Sequence, residues 1–230
     1  MTCPESLVSV LLVFRFRMSH LAVVAGSALL FGATPPDMAR EAIPQPSPAF
    51  KAPQDALLAE DFSSDLKRWD ADRDSVWSIH QGMLRADLPD SKQERSFLYA
   101  GSEDWSNYAV DLDVLGMRGV DKGVVVRVEG TAGIGVDLRG PGYQDIVMYR
   151  REWPMGRATV ENGNGVWHHL RVECRDSRYR VFVDGELRLN REEGKLASKK
   201  ASGRIALAAY TGGVGQCTIW YDNVVVTKLP

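Results

Sequence analysis

From residue 57 onward the chain is a succession of short stretches in which apolar and polar residues alternate, each broken by Gly, Asp, Asn or Pro. Successive side chains of a strand point to opposite faces, so this alternation predicts strands with one buried face. Residues 108–115 show it clearly: Tyr108, Val110, Leu112 and Val114 face one way, Ala109, Asp111 and Asp113 the other. Residues 167–174 and 178–183 repeat the pattern, and Asp184-Gly185 then supplies a hairpin turn, because both positions tolerate positive φ. Further strands are predicted at 76–80, 83–87, 96–100, 123–128, 134–138, 146–149, 158–161, 186–190, 204–210 and 217–227. No window sustains helical spacing, and at most a short helical turn is expected near 65–69 or 192–197. About a dozen short strands separated by turn residues predict an all-β chain of two packed antiparallel sheets, in a single domain.

The residues ahead of the strands differ in kind. Residues 21–33 (LAVVAGSALLFGA) form an uncharged apolar run preceded by Arg15 and Arg17. The run is shorter than the roughly 20 residues needed to cross a bilayer, and it fits the apolar region of a signal peptide. Residues 1–33 are therefore expected to be a signal peptide or N-terminal anchor, implying a secreted, periplasmic or cell-surface protein. Residues 34–54 contain Pro35, Pro36, Pro44, Pro46, Pro48 and Pro53. Proline lacks a backbone donor and fixes φ, so this stretch reads as an extended tether ahead of a sandwich at 55–230.

The net charge of −2 gives no basic field for nucleic acid or an anionic membrane. No membrane contact beyond the possible anchor is expected. With Cys3 inside the leader, Cys174 and Cys217 remain, either as a disulfide or as two small buried apolar residues.

Several short segments occur together in order: Glu60-Asp61-Phe62 before Trp69, the stretch 76–84 (VWSIHQGML), Asp104-Trp105-Ser106-Asn107-Tyr108, and 123–127 (GVVVR). They are followed by 167–172 (WHHLRV), Val183-Asp184-Gly185, 203–207 (GRIAL) and 220–224 (WYDNV). In this the chain resembles the concanavalin A-like lectin/glucanase superfamily, in particular laminin-G-like and 3-keto-disaccharide hydrolase-type domains of exported bacterial proteins. The resemblance implies a jelly roll with a concave sheet that binds glycans.

Retaining β-glucanases of that superfamily carry Glu-x-Asp-x-x-Glu on one strand, where alternate residues share a face. No glutamate here has an aspartate two positions later. The remaining carboxylate pair is Asp111 and Asp113, with Arg127 one strand on. These residues read either as a charged floor that hydrogen-bonds sugar hydroxyls or as a solvated strand face with a cross-strand ion pair. Trp153, within a polar stretch, is either a ligand platform or a ring folded onto the sandwich edge; Tyr149 and Tyr210 are further aromatic candidates. His168 and His169 are adjacent on a strand, point to opposite faces and cannot share a metal. Calcium is the candidate cofactor, because Glu60 and Asp61 on the first strand and Asp222 with Asn223 on the last could meet if the terminal strands are neighbours. The alternative is that these are turn and ladder-end residues. The function expected is an exported, lectin-like glycan-binding module, with a sugar-active hydrolase or lyase and a structural or protein-interaction sandwich as alternatives.

Overall fold

The structure, a computed structural model, describes residues 36–49, 51–150, 153–193 and 202–230. The signal-peptide expectation for 1–33 lies outside these residues, as does most of the helical turn expected near 192–197. Among the described residues, no helix is long and apolar enough to cross a membrane.

The strands in chain order are β1 (Leu58–Glu60), β2 (Trp69–Ala71), β3 (Trp77–His80), β4 (Met83–Asp87), β5 (Arg95–Ala100), β6 (Tyr108–Arg118), β7 (Asp121–Glu129) and β8 (Ala132–Arg139). They continue with β9 (Asp145–Arg150), β10 (Trp153–Thr159), β11 (Trp167–Arg175), β12 (Arg178–Val183), β13 (Glu186–Glu192), β14 (Arg204–Tyr210) and β15 (Thr218–Lys228). The only α-helix among the described residues is α1, Pro36–Glu41. Where a helical turn is expected near 65–69, the chain makes one tight turn, closed by the Trp69 amide donating to the Leu66 carbonyl at 2.8 Å, and enters β2 at Trp69.

The strands form two antiparallel sheets packed as a sandwich. The first has the order β13-β12-β11-β6-β15-β4-β3, with β1 also on β15; the second has β10-β9-β8-β7-β14-β5-β2. Alternation decides which side chains meet between them. Val110, Leu112 and Val114 of the first sheet and Val124, Val126, Val136 and Leu207 of the second are buried in one core. Cys174 and Cys217 are both buried and unpaired. Burial pushes each thiol up to about 12.

Two tyrosine hydroxyls cross the core. Tyr108 of β6 accepts the Arg127 amide of β7 at 2.6 Å. Tyr221 of β15 donates to the Ala208 carbonyl of β14 at 2.6 Å and accepts the Gly123 amide of β7 at 3.1 Å. Both tyrosines are fully buried.

Two bulges re-aim side chains. In β15 the register jumps between Asp222 and Val225, with Asn223 at φ 49°. Asparagine accepts that left-handed conformation better than most residues. In β7 the register jumps between Val126 and Glu129, with Arg127 at φ 50°. The expected placement of Arg127 across from Asp111 and Asp113 is corrected here. Arg127 lies in the other sheet, and the bulge turns its guanidinium inward to the Tyr179 hydroxyl (2.9 Å) and the Asp176 and Ser106 carbonyls.

Tyr221→Phe should lower unfolding free energy by about 1–3 kcal/mol, because it strands a buried amide and carbonyl of the opposite sheet. Urea denaturation reads this directly; an unchanged midpoint would show that the hydroxyl does not tie the sheets.

Candidate functional site

Each sheet has an outward face, and the two faces differ. On the second sheet, strand register sets three rungs across β5, β14, β7, β8 and β9. The first is Arg95-Tyr210-Asp121-Arg139-Asp145, the second Phe97-Ala208-Gly123-Asp137-Val147, and the third Tyr99-Ala206-Val125-Gly135-Tyr149. The middle of the second and third rungs is occupied by small residues, with larger side chains toward either side. The result is a groove with two lobes of about 270 and 260 Å³ that share Arg95, Phe97 and Tyr149. Glycine shapes its floor. A Cβ on Gly135 would lie 2.4 Å from the Tyr149 ring, and one on Gly123 would lie 2.0 Å from the Val136 carbonyl.

The polar groups of the groove are held in specific states. Tyr149 donates to Asp137 Oδ2 at 2.6 Å. Burial is the main cause raising the Asp137 carboxyl to about 7, and the nearby Asp121 charge adds to it. Asp121 is also raised by burial, against the attraction of Arg139 and Lys122. Arg139 grips Asp145 with two hydrogen bonds of 2.8 and 2.9 Å, and its guanidinium lies 4.4 Å from the centre of the Tyr143 ring. Arg95 lies over Tyr210 at 5.2 Å. The groove therefore combines ring faces, fixed guanidinium donors and a carboxyl that exchanges its proton near neutrality.

The outward face of the first sheet holds Asp111 and Asp113, together with a residue that sequence reasoning set aside. His169 of β11 lies between them, Nε2 3.2 Å from Asp111 and Nδ1 2.7 Å from Asp113. The two carboxylates, Asp111 foremost, raise its imidazole to about 9. Arg171 donates to Asp111. Asn223 reaches Asp113 at 2.7 Å, as does the Ser47 hydroxyl. His168 points to the opposite face and pairs with Asp184 at 2.8 Å.

The expected site residues thus fall in different places. Tyr149 and Tyr210 line the groove. Asp111 and Asp113 belong to the opposite sheet, and Arg127 to the interior. Trp153, expected in a loop, opens the edge strand β10 and is 77% exposed. Arg95, Phe97, Asp121, Asp137 and Arg139 escaped sequence reasoning, although the alternation of Gly133, Gly135, Asp137 and Arg139 on β8 was there to be read. The first and last strands do pair, Glu60 opposite Val224. Glu60 accepts the Phe62 amide, Asp61 the amide and hydroxyl of Ser63, and Asp222 the Asn223 amide. Among the described residues, no three His, Cys, Asp or Glu side chains converge to hold a metal ion.

Comparison with known proteins agrees with this architecture. Residues 59–227 match the model of a family described as the 3-keto-alpha-glucoside-1,2-lyase-like domain, and the chain belongs to that family. In fold it is similar to the carbohydrate-binding module CBM66 from Bacillus subtilis, with TM-score 0.60, 14% identity, and 73% of this chain and 99% of the other covered. A putative glycosyl hydrolase from Parabacteroides distasonis gives TM-score 0.52 and 18% identity, covering 75% of this chain and all (100%) of the other. The Crh5 transglycosylase in complex with NAG gives TM-score 0.60 and 11% identity, with 75% and 84% covered. None of the curated proteins matches the chain. The chain is thus a sugar-related β-sandwich.

Two titrations follow. The Asp137 carboxyl sits at about 7 in the fold against an ordinary 3.8. From about pH 4 to 7 the unfolded chain loses this proton before the folded one, so stability falls as pH rises across that window. Asp137→Asn removes this dependence: its melting temperature should gain on wild type from pH 4 to 7 and hold that gain above. Parallel profiles would show that Asp137 ionises normally. His169 has the opposite sign, because its imidazole sits at about 9 against an ordinary 6.5. Its stabilisation is complete below about pH 6.5 and lost as pH rises through 9. The deficit of His169→Gln against wild type should therefore shrink between those values; a constant deficit would contradict the raised imidazole.

Proposed function

We propose that the groove on the second sheet binds a glycan of the glucoside class. The observation that supports it most is the three-rung surface itself. Phe97, Tyr99 and Tyr149 offer ring faces to the C–H face of a pyranose, and Arg95, Arg139, Asp121 and Asp137 offer donors and acceptors to its hydroxyls. In this reading the chain is an exported glycan-binding module, held by the segments ahead of the sandwich.

A second reading, elimination on a 3-keto-α-glucoside, is favoured by one specific pair, Asp137 and Tyr149. A ketone at C3 acidifies the C2 proton. A base removes that proton, the C1–O bond breaks as the C1–C2 double bond forms, and the departing oxygen takes up a proton. A carboxyl near 7 suits such transfers at neutral pH, and family membership points to the same substrate class.

Calorimetric titration with α-glucosides and their 3-keto derivatives tests both. Saturable binding is expected, weakened about tenfold by Arg95→Ala or Phe97→Ala through the loss of a charge-assisted hydrogen bond or a stacked ring. Consumption of the keto sugar that Asp137→Asn abolishes while binding persists would favour elimination; binding without consumption would favour the module. No binding of either class would sink both.

A further inference from the structure

The proline-rich stretch expected to be a bare tether lies against the outward face of the first sheet. Its fixed points come from strands far away in sequence. Trp167 Nε1 of β11 donates to the Gln45 carbonyl at 2.8 Å. Asn223 Nδ2 of β15 donates to the Pro48 carbonyl at 3.0 Å. The Ser47 hydroxyl donates to Asp113 of β6 at 2.7 Å. Upstream, Arg85 of β4 donates to the Arg40 carbonyl, and the Arg40 side chain reaches Asp87, Asp90 and the Leu88 carbonyl.

The conformation of residues 43–48 (IPQPSP) is dictated by their sequence. Pro44, Pro46 and Pro48 fix φ near −65°. Each intervening residue precedes a proline and is kept out of the helical region. Both restraints keep the chain extended, in the β or polyproline II region, and proline at every second position suits polyproline II, with three residues per turn. Burial follows that period: Pro44 and Ser47 are half-buried while Ile43, Gln45, Pro46 and Pro48 are exposed. The two recognised carbonyls, Gln45 and Pro48, are also three apart and so lie on one side of the helix.

The segment is not paired as a strand with either sheet. It offers carbonyls, and the surface beneath it supplies side-chain donors to match. It also crosses the face of β11, β6 and β15, interior strands whose edges are already paired. These are the elements of proline-segment recognition: a preformed helix, an aromatic donor beneath it, and hydrogen bonds to its carbonyls. The left-handed bulge at Asn223 is what turns one of those donors toward the segment.

We propose that the outward face of the first sheet is a polyproline-binding surface whose resident occupant is residues 43–48 of the same chain. The segment is an intramolecular ligand that covers the Asp113 end of the Asp111–His169–Asp113 row. Covalent attachment gives it an effective concentration in the millimolar range, so it holds the site even if its intrinsic affinity is weak.

The test uses the full chain and a fluorescent peptide of residues 41–49 (EAIPQPSPA). Pro44→Gly, Pro46→Gly and Pro48→Gly together loosen the resident segment without altering the surface. Anisotropy should show saturable peptide binding to this triple variant, and binding at least about tenfold weaker to wild type, whose site is filled. Adding Trp167→Phe to the triple variant should weaken the peptide about threefold to tenfold, as expected for one lost hydrogen bond. A peptide with glycine at its three prolines should not compete. Equal binding to wild type and the triple variant, indifference to Trp167→Phe, or no binding at millimolar peptide would each overturn the proposal.

Discussion

The sandwich depends on two hydroxyl groups that reach from one sheet into the backbone of the other. A core of Val, Leu and Ile is non-directional: it favours contact between the sheets but does not by itself fix their relative offset. Tyr108 and Tyr221 add direction, because a buried hydroxyl must find partners at hydrogen-bonding distance. Tyr221 settles on Gly123 and Ala208, two residues of the groove's second rung. The floor of the groove is thereby tied through the core to β15, the strand whose bulge shapes the opposite face. Tyr108 settles on the bulged amide of Arg127, an arginine in a conformation this residue rarely adopts.

Because the core takes one face of each sheet, all other chemistry is left to the two outward faces, and the chain uses them differently. One is open, with small residues at its centre and rings and charges around them. The other is partly covered by its own N-terminal segment, with a protonated histidine between two aspartates beneath it. That row is close to balanced in charge: His169 and Arg171 face Asp111 and Asp113, and Asn223 and Ser47 complete the acceptors of Asp113. The open face is not balanced in this way. Asp121 stands close enough to Asp137 to help burial raise its carboxyl, and the groove keeps a carboxyl whose charge is undecided near neutral pH.

The fold was legible in the sequence because alternation is local and the chain repeats it in nearly every segment. Strands β4, β12 and β14 match the expected stretches, and β6 alternates as expected, with Val110, Leu112 and Val114 in the core and Asp111 and Asp113 on the outward face, where they too are buried. The site was less legible, for two physical reasons. Alternation assigns a residue to a face but not to a sheet, so Asp111 and Asp113 could be paired on paper with Arg127, which belongs to the other layer. A bulge reverses the alternation from its own position, and neither Asn223 nor Arg127 announces itself as one. His169 was dismissed as half of a pair that diverges; the divergence is real, but the carboxylates across from it come from a strand 56 residues away. The proline stretch was read from composition, which reports stiffness and says nothing about the surface beneath.

The glycines under the groove have a consequence for how chains of this design can diverge. The depth of one lobe is set by what Gly133 and Gly135 lack, and the charged groups stand on other positions. Adding a methyl group at Gly135 would fill one lobe and displace Tyr149, while the charged rung of Arg95, Asp121 and Arg139 kept its places in the register. The shape of the groove and its charge are thus set at separate positions. Related chains can reshape such a groove one small residue at a time, without rebuilding its charges.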